Sequence, residues 1–186
     1  KYGMMTDDKF WEKATHFHIW EALPNASDGK APAYYTLEEY RKAAEALQKN
    51  KDGKLVILYT TQPVQQDSFS KAAQAKGYLV VKSDTLIDAA FINQMESKWT
   101  DVQFTRVDAD IADNLIDKHD LIETVLNKNE AEKLKHLFTF NIADLQITVD
   151  VKGLPSSAPP VTATRPEFMR RMKDMAAVSG PMAGFY

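Results

Sequence analysis

Cysteine is missing from this chain. No disulfide can staple it and no thiolate can hold a metal or attack a substrate, which fits a reducing compartment, and the cytoplasm is the expected location. Long apolar runs are missing as well. The longest, "LVILY", falls far short of the roughly 20 residues a bilayer-spanning helix needs, so no membrane partner is expected. Charge of one sign is equally scarce: the formal net charge is only −3, and no basic stripe interleaves with aromatics. That balance argues against a nucleic-acid partner. Glycine is absent where a nucleotide would need it. The turn after the first β-rich run reads "TTQPVQQDS", with neither the glycines that let a pyrophosphate approach the backbone nor a closing Gly-Lys-Ser/Thr.

What is present reads as alternating elements. "TDDKFWEKATHFHIWEAL" has helical spacing, with Thr6 placed to cap it and Phe10, Ala14, Phe17 and Trp20 or Glu21 on one apolar face. After the turn-rich "PNASDGKAPAYY", Thr36 and Glu39 form a capping box that opens a second helix with Leu37, Tyr40, Ala44 and Leu47 as its stripe. Then "KLVILYTT", "YLVVK" and "VQFTRV" read as strands. The helices between them are "QDSFSKAAQAKG", closed by Gly77, and "SDTLIDAAFINQMESKW", capped by Ser83 or Asp84. Strand and helix in alternation imply a parallel sheet covered on both faces.

Beyond Asp108 the pattern is largely helical, interrupted at "DKHD"; then "IADLQITVDV" alternates like a strand and "KGLPSSAPPVTATRP" reads as a linker. The fold class expected is therefore α/β: a small three-layer α/β/α sandwich with a short parallel sheet. A helical segment precedes it and the helix-strand-helix start of an α+β domain follows. The boundaries are 1–50 for the helical segment, 51–117 for the sandwich and 118–186 for the portion beyond.

Few residues are arranged for chemistry. His16 and His18 stand two apart and point to different helix faces, which is wrong for joint metal ligation. Asp108, Asp110 and Asp113 lack the glycine turn and later glutamate of a calcium loop, and Asp108 and Asp110 are better read as helix caps. His119 and His136 have no sequence-level partners, and no serine sits in a nucleophile elbow. No catalytic residue, cofactor or metal site is expected, and binding or structural roles are left. The segment "PEFMRRMKDMAAV" stands out. Thr164 and Glu167 form a capping box there, Gly180 and Pro181 supply the stop, and Phe168, Met172, Met175 and Ala176 share one helix face with Met169 at its edge. The arginines lie mostly on other faces.

At "YGMMTDDKFWEKA", "YTLEEYRKA", "KGYLVVKSDTLIDAAFINQ", "FTRVDADIADNLI" and "EFMRRMKDMAA", the chain resembles the heat-shock protein 90 family of chaperones in its bacterial form. The resemblance runs in order along essentially the whole sequence. It implies that residues up to about 117 form the last part of a middle domain and that those from about 118 open a C-terminal domain. Lys1 is preceded by no initiator methionine or signal peptide, so the chain reads as a piece of a longer protein. The resemblance places the family's ATP and magnesium site, its slow ATPase and its homodimer helices outside this piece. It implies partly folded client proteins as partners, with the heat-shock protein 70 system as a further one.

By the same resemblance, Phe168, Met169, Met172, Met175 and Ala176 contact clients, and Asn93 matches a polar contact on the helix of "IDAAFINQM". The family's neighbouring tryptophan position is Ala90 here, with Phe91 beside it as the substitute aromatic contact or as core. Two other classes stay open on the residues alone. A freestanding α/β small-molecule enzyme would have a polar pocket near Thr60 to Gln62, Lys82 to Asp84 and Asp108. A structural spacer would have no client contact.

Overall fold

The computed structural model describes residues 1–24, 33–109, 124–139, 147–151, 153, 160–161 and 167–178, with 167, 168, 174, 177 and 178 described by their backbone alone. Two compact units divide the chain: Lys1–Lys118 with Thr164–Tyr186, and His119–Ala163. The division by compactness thus groups the methionine-rich helix with the sandwich rather than with its nearest neighbours in sequence.

In the first unit, the opening helix is broken where one continuous helix was expected. Helix α1 spans Tyr2–Thr6 and α2 spans Asp8–Ala14. Asp7 between them is extended, and its carboxylate accepts the N–H of Lys9 at 2.8 Å and of Phe10 at 3.0 Å, so Asp7 is the cap rather than Thr6. A single 3₁₀ turn, Thr15–Phe17, leads into β1 (Trp20–Glu21), which pairs antiparallel with β2 (Tyr34–Tyr35). The break rotates the buried face. Trp11 and Trp20 enter the core, while Phe10 and Phe17 are exposed.

Helix α3 (Leu37–Ala44) carries the expected capping box, both halves made: Thr36 Oγ1 accepts the Glu39 N–H, and Glu39 accepts the Thr36 N–H at 2.8 Å. Tyr40 and Ala44 are buried; Leu47 lies beyond the helix end and is exposed. Strand β3 (Leu55–Thr60) is buried along its whole length. It is followed by α4 (Asp67–Ala75), β4 (Val80–Lys82), α5 (Asp88–Lys98) and β5 (Val102–Arg106). Gly77 closes the α4 turn at φ +82°, where a side chain would be strained. Helix α5 begins later than Ser83 or Asp84: Ile87 takes the cap position, and the Asp88 carboxylate accepts the Thr85 N–H at 3.1 Å.

The three strands are parallel in the order β4-β3-β5, in register at Leu58 with Val80 and Ile57 with Phe104. Because successive strand residues face opposite sides, β3 feeds two cores. Leu55, Ile57 and Tyr59 pack with Trp11, Tyr40, Phe91, Ile92 and Met95 on one face. Val56 and Leu58 pack with Ala73, Tyr78 and Val107 on the other. This is the three-layer α/β/α sandwich. The outer edge of β4 is covered by the chain after β1, where Leu23 donates to the Val80 carbonyl at 2.8 Å.

In the second unit, α6 (Lys128–Phe138) opens with a capping box of Asn127 and Glu130. The strand expected over 142–151 falls partly outside the described residues, and residues 147–151 carry no strand. The loop at 25–32, the helical run and its "DKHD" break within 110–123, most of the linker, Thr164, Gly180 and Pro181 also lie outside them.

His18 sits in the aromatic core rather than on a helix. Its ring meets Trp20 edge-on at 4.8 Å and Phe91 at 4.9 Å. Burial pushes its pKa down to about 4, helped by the positive charges of Lys1 and opposed by Asp88. Unfolding releases the ring to its ordinary value near 6.5. The neutral ring's contribution is therefore intact above pH 6.5 and is lost as the pH falls through about 4. A difference of about 2–3 kcal/mol between pH 7 and pH 4.5 is expected in the wild type over and above that in His18→Phe, measured by urea unfolding at each pH. Parallel pH profiles in the two proteins would contradict it.

Candidate functional site

The outer edge of β5 poses a problem that side chains solve. Residue Phe104 points its backbone N–H and C=O away from β3, where no strand among the described residues meets them. The Glu96 carboxylate of α5 accepts that N–H at 2.6 Å. Arg171 donates to the carbonyl at 2.6 Å through one guanidinium nitrogen. The same guanidinium pairs with both Glu96 oxygens and donates to Asn93 Oδ1 at 3.2 Å. Arg171 lies on helix α7 (Glu167–Val178), which this network seats against α5 and β5.

Its neighbour Arg170 is only 6% exposed. It pairs with the Asp108 carboxylate and donates to the Asp108 carbonyl at 2.5 Å. Asp108 also accepts from Arg106 at 2.7 and 3.2 Å. Burial alone would raise the Asp108 pKa, but the Arg106 hydrogen bonds and the charges of Arg106 and Arg170 outweigh it and hold the carboxyl below its usual range. Asp108 is thus an ion-pair hub; the helix that the sequence expects it to cap lies outside the described residues.

Among its described side chains, the helix docks by its arginines, the residues that sequence reading assigned to other faces. A guanidinium tolerates burial when carboxylates and carbonyls meet its planar donors, and here both arginines are so met. The apolar side is turned away to different degrees. Met169 is 61% exposed, Met175 is 38% exposed, and Met172 and Ala176 are half-buried. The Phe168 side chain lies outside the described residues. Asn93 Nδ2 reaches Met175 Sδ at 3.0 Å, so the two expected contact regions, 82 residues apart, meet at one place. A cleft of about 420 Å³ opens there between β5 and α7, with Lys54, Val102 and Gln103 on one wall and Met172 and Met175 on the other.

Phe91 is a correction. It is 1% exposed and packs against Trp11 and His18, so it is core and not a contact surface. The strand ends where a small-molecule pocket was considered are largely occupied by their own chain. Gln66 Oε1 accepts from Thr60 Oγ1 at 2.6 Å and from the N–H groups of Thr61 and Gln62 at 3.0 and 3.2 Å. A smaller hollow of about 230 Å³ lies beside Lys82 and Asp84, where charges pair off as Lys82 with Asp84 and Lys1 with Asp88. Glu96, Arg170 and Arg171 were missed as site residues. Their partners lie 62 to 78 residues away, and no local pattern signals such pairs.

Over 188 aligned positions covering all of this chain, the sequence is 37% identical to the chaperone protein HtpG of Bacteroides fragilis and, likewise, to that of Bacteroides thetaiotaomicron. Along its whole length the chain is related to the HtpG chaperones. HtpG of Porphyromonas gingivalis is 36% identical over 189 positions, again covering the full chain. The chain spans about a quarter of these relatives, 26% of their length. A solved structure, the middle domain of a Plasmodium falciparum heat shock protein, has a TM-score of 0.42 at 18% identity, covering 57% of this chain and 41% of that one. No protein-family model matches the chain. Among the described residues, no helix is long and apolar enough to cross a membrane.

Proposed function

We propose that the chain is the part of an HtpG-type chaperone in which the middle domain ends, near residue 117, and the C-terminal domain begins. In this reading it holds partly folded client proteins against the apolar side of α7. Met169, Met172, Met175, Ala176 and Phe168 are the apolar contacts and Asn93 the polar one; Phe91 supports the surface from beneath. The observation that carries the reading is the docking of α7 through Arg170 and Arg171, which leaves Met169 61% exposed instead of consuming it in the core. Methionine's unbranched, polarizable side chain repacks against many shapes, which suits a surface with varied partners.

The same reading assigns no catalytic step to this piece. ATP and magnesium bind elsewhere in the full-length protein, which works as a slow, homodimeric ATPase in the cytoplasm alongside the heat-shock protein 70 system. The test is fluorescence anisotropy with a labelled, partly folded protein, comparing the wild type with Met169→Ser, Met172→Ser. About tenfold weaker binding is expected, the loss of part of two apolar contacts, with unchanged circular dichroism. Equal binding by both proteins would leave a spacer, and a melting-temperature rise with a metabolite would instead favour a small-molecule site.

A further inference from the structure

We infer that α7 is a reversible latch: Arg170 and Arg171 hold it across the outer edge of β5, and its release uncovers that edge together with the methionines lining the cleft. The inference deepens the proposed client surface by giving it a covered and an uncovered state.

Three observations lead to it. First, the β5 edge is satisfied by substitutes. Phe104 has a carboxylate on its N–H and a guanidinium on its C=O, in the positions a neighbouring strand would fill, and the guanidinium arrives on α7. A bare strand edge invites pairing with other chains, so a covering element there has a consequence when it leaves. Second, the described anchors of α7 are charged: Arg170 on Asp108, Arg171 on Glu96. Partly buried ion pairs are strict in geometry but modest in net stability, because desolvation offsets much of the attraction. An element held in this way can be released by a small change in free energy. Third, in the docked state Asn93 meets Met175, and Met172 and Met175 line the cleft, so docking covers part of the apolar side that the client would use.

The test uses the whole chain and no client, so that its outcome is independent of whether clients bind. Hydrogen exchange by mass spectrometry and fluorescence of an apolar dye are measured for the wild type, Glu96→Arg, Arg171→Glu and the double swap, with Arg171→Gln as the mildest variant. Each single variant is expected to speed exchange of residues 167–178 and of the Phe104 amide roughly tenfold and to raise dye fluorescence, with β3 still protected. The swap restores the charge pair between α5 and α7 and is expected to return exchange of 167–178 and dye fluorescence toward wild type, but not exchange of the Phe104 amide, whose acceptor at Glu96 it removes. Unchanged exchange of 167–178 in every single variant would overturn the latch. So would faster exchange without added dye binding, or loss of β3 protection in all the single variants with no rescue by the swap. Weak client binding in the anisotropy experiment would remove the proposed function while leaving these outcomes to decide the latch.

Discussion

Phe91→Ala is expected to lower the unfolding free energy by about 3–5 kcal/mol, the range for truncating a buried aromatic ring. The residue is 1% exposed. Its ring stands edge-on to Trp11 at 6.4 Å and to His18 at 4.9 Å, and the Lys1 ammonium lies 6.0 Å from its centre. Truncation removes these aromatic contacts and leaves a cavity bounded by two other rings, which are too rigid to collapse into it. Urea unfolding followed by tryptophan fluorescence reads the change directly, because Trp11 and Trp20 share the same cluster. A loss below about 1 kcal/mol would mean that the ring is not packed as described, and would return it to the contact surface. Phe91→Leu keeps most of the volume and is expected to leave the anisotropy titration unchanged, since the side chain does not reach the surface.

The sandwich was legible because its signals are local. Six consecutive β-formers at Leu55–Thr60 have no polar alternation, which is what a strand buried on both faces looks like. Thr36 and Glu39 announce a helix start three residues apart, and Gly77 announces an end. The first helix was misread for an equally local reason: Thr6 and Asp7 are both good capping residues, and only the extended conformation of Asp7 shows that it, not Thr6, caps. One residue's shift then moved Trp11 into the core in place of Phe10. The site was legible only in part. Helical spacing groups the methionines on one side, but a helical wheel cannot say that the described anchors on the inward side are charged. Arg170 and Arg171 read only as lying on other faces than the methionines, and only the fold brings Asp108 and Glu96 to them.

That inversion bears on how such a surface can exist. A helix docked by its apolar side spends that side in the docking, and little is left for a partner. Docking by guanidinium groups separates the two tasks: charge sets the position and the methionines keep their adaptability. The arrangement also explains the Asn93 environment, where an amide between Arg171 and Met175 joins the charged side of α7 to its apolar side.

Gln48→Leu is expected to cost about 2–4 kcal/mol although the volume barely changes, because the cost comes from orphaned backbone and hydroxyl groups rather than from a cavity. Gln48 has no exposed surface. Its Oε1 accepts the Leu79 N–H at 2.6 Å, and its Nε2 donates to the Tyr40 hydroxyl at 2.8 Å and the Val56 carbonyl at 3.0 Å. One amide thus ties α3, through Tyr40, to the entry of β4 and to β3. A leucine can neither accept from Leu79 nor donate to Tyr40, and a buried N–H without a partner is the costlier loss. Gln48→Glu separates this account from simple packing. It retains an oxygen for Leu79 but replaces the donor with a buried carboxylate, whose pKa burial must raise. The variant is then destabilised at pH 7 and recovers as the pH falls, since the protonated acid is the form the folded site accepts and can donate in place of Nε2. Urea unfolding of the wild type and both variants at pH 7 and pH 5 makes the comparison, each variant read as its difference from wild type so that the His18 contribution cancels. The opposite pH trend in Gln48→Glu, or a cost below 1 kcal/mol in Gln48→Leu, would show that these three bonds do not hold the layers together.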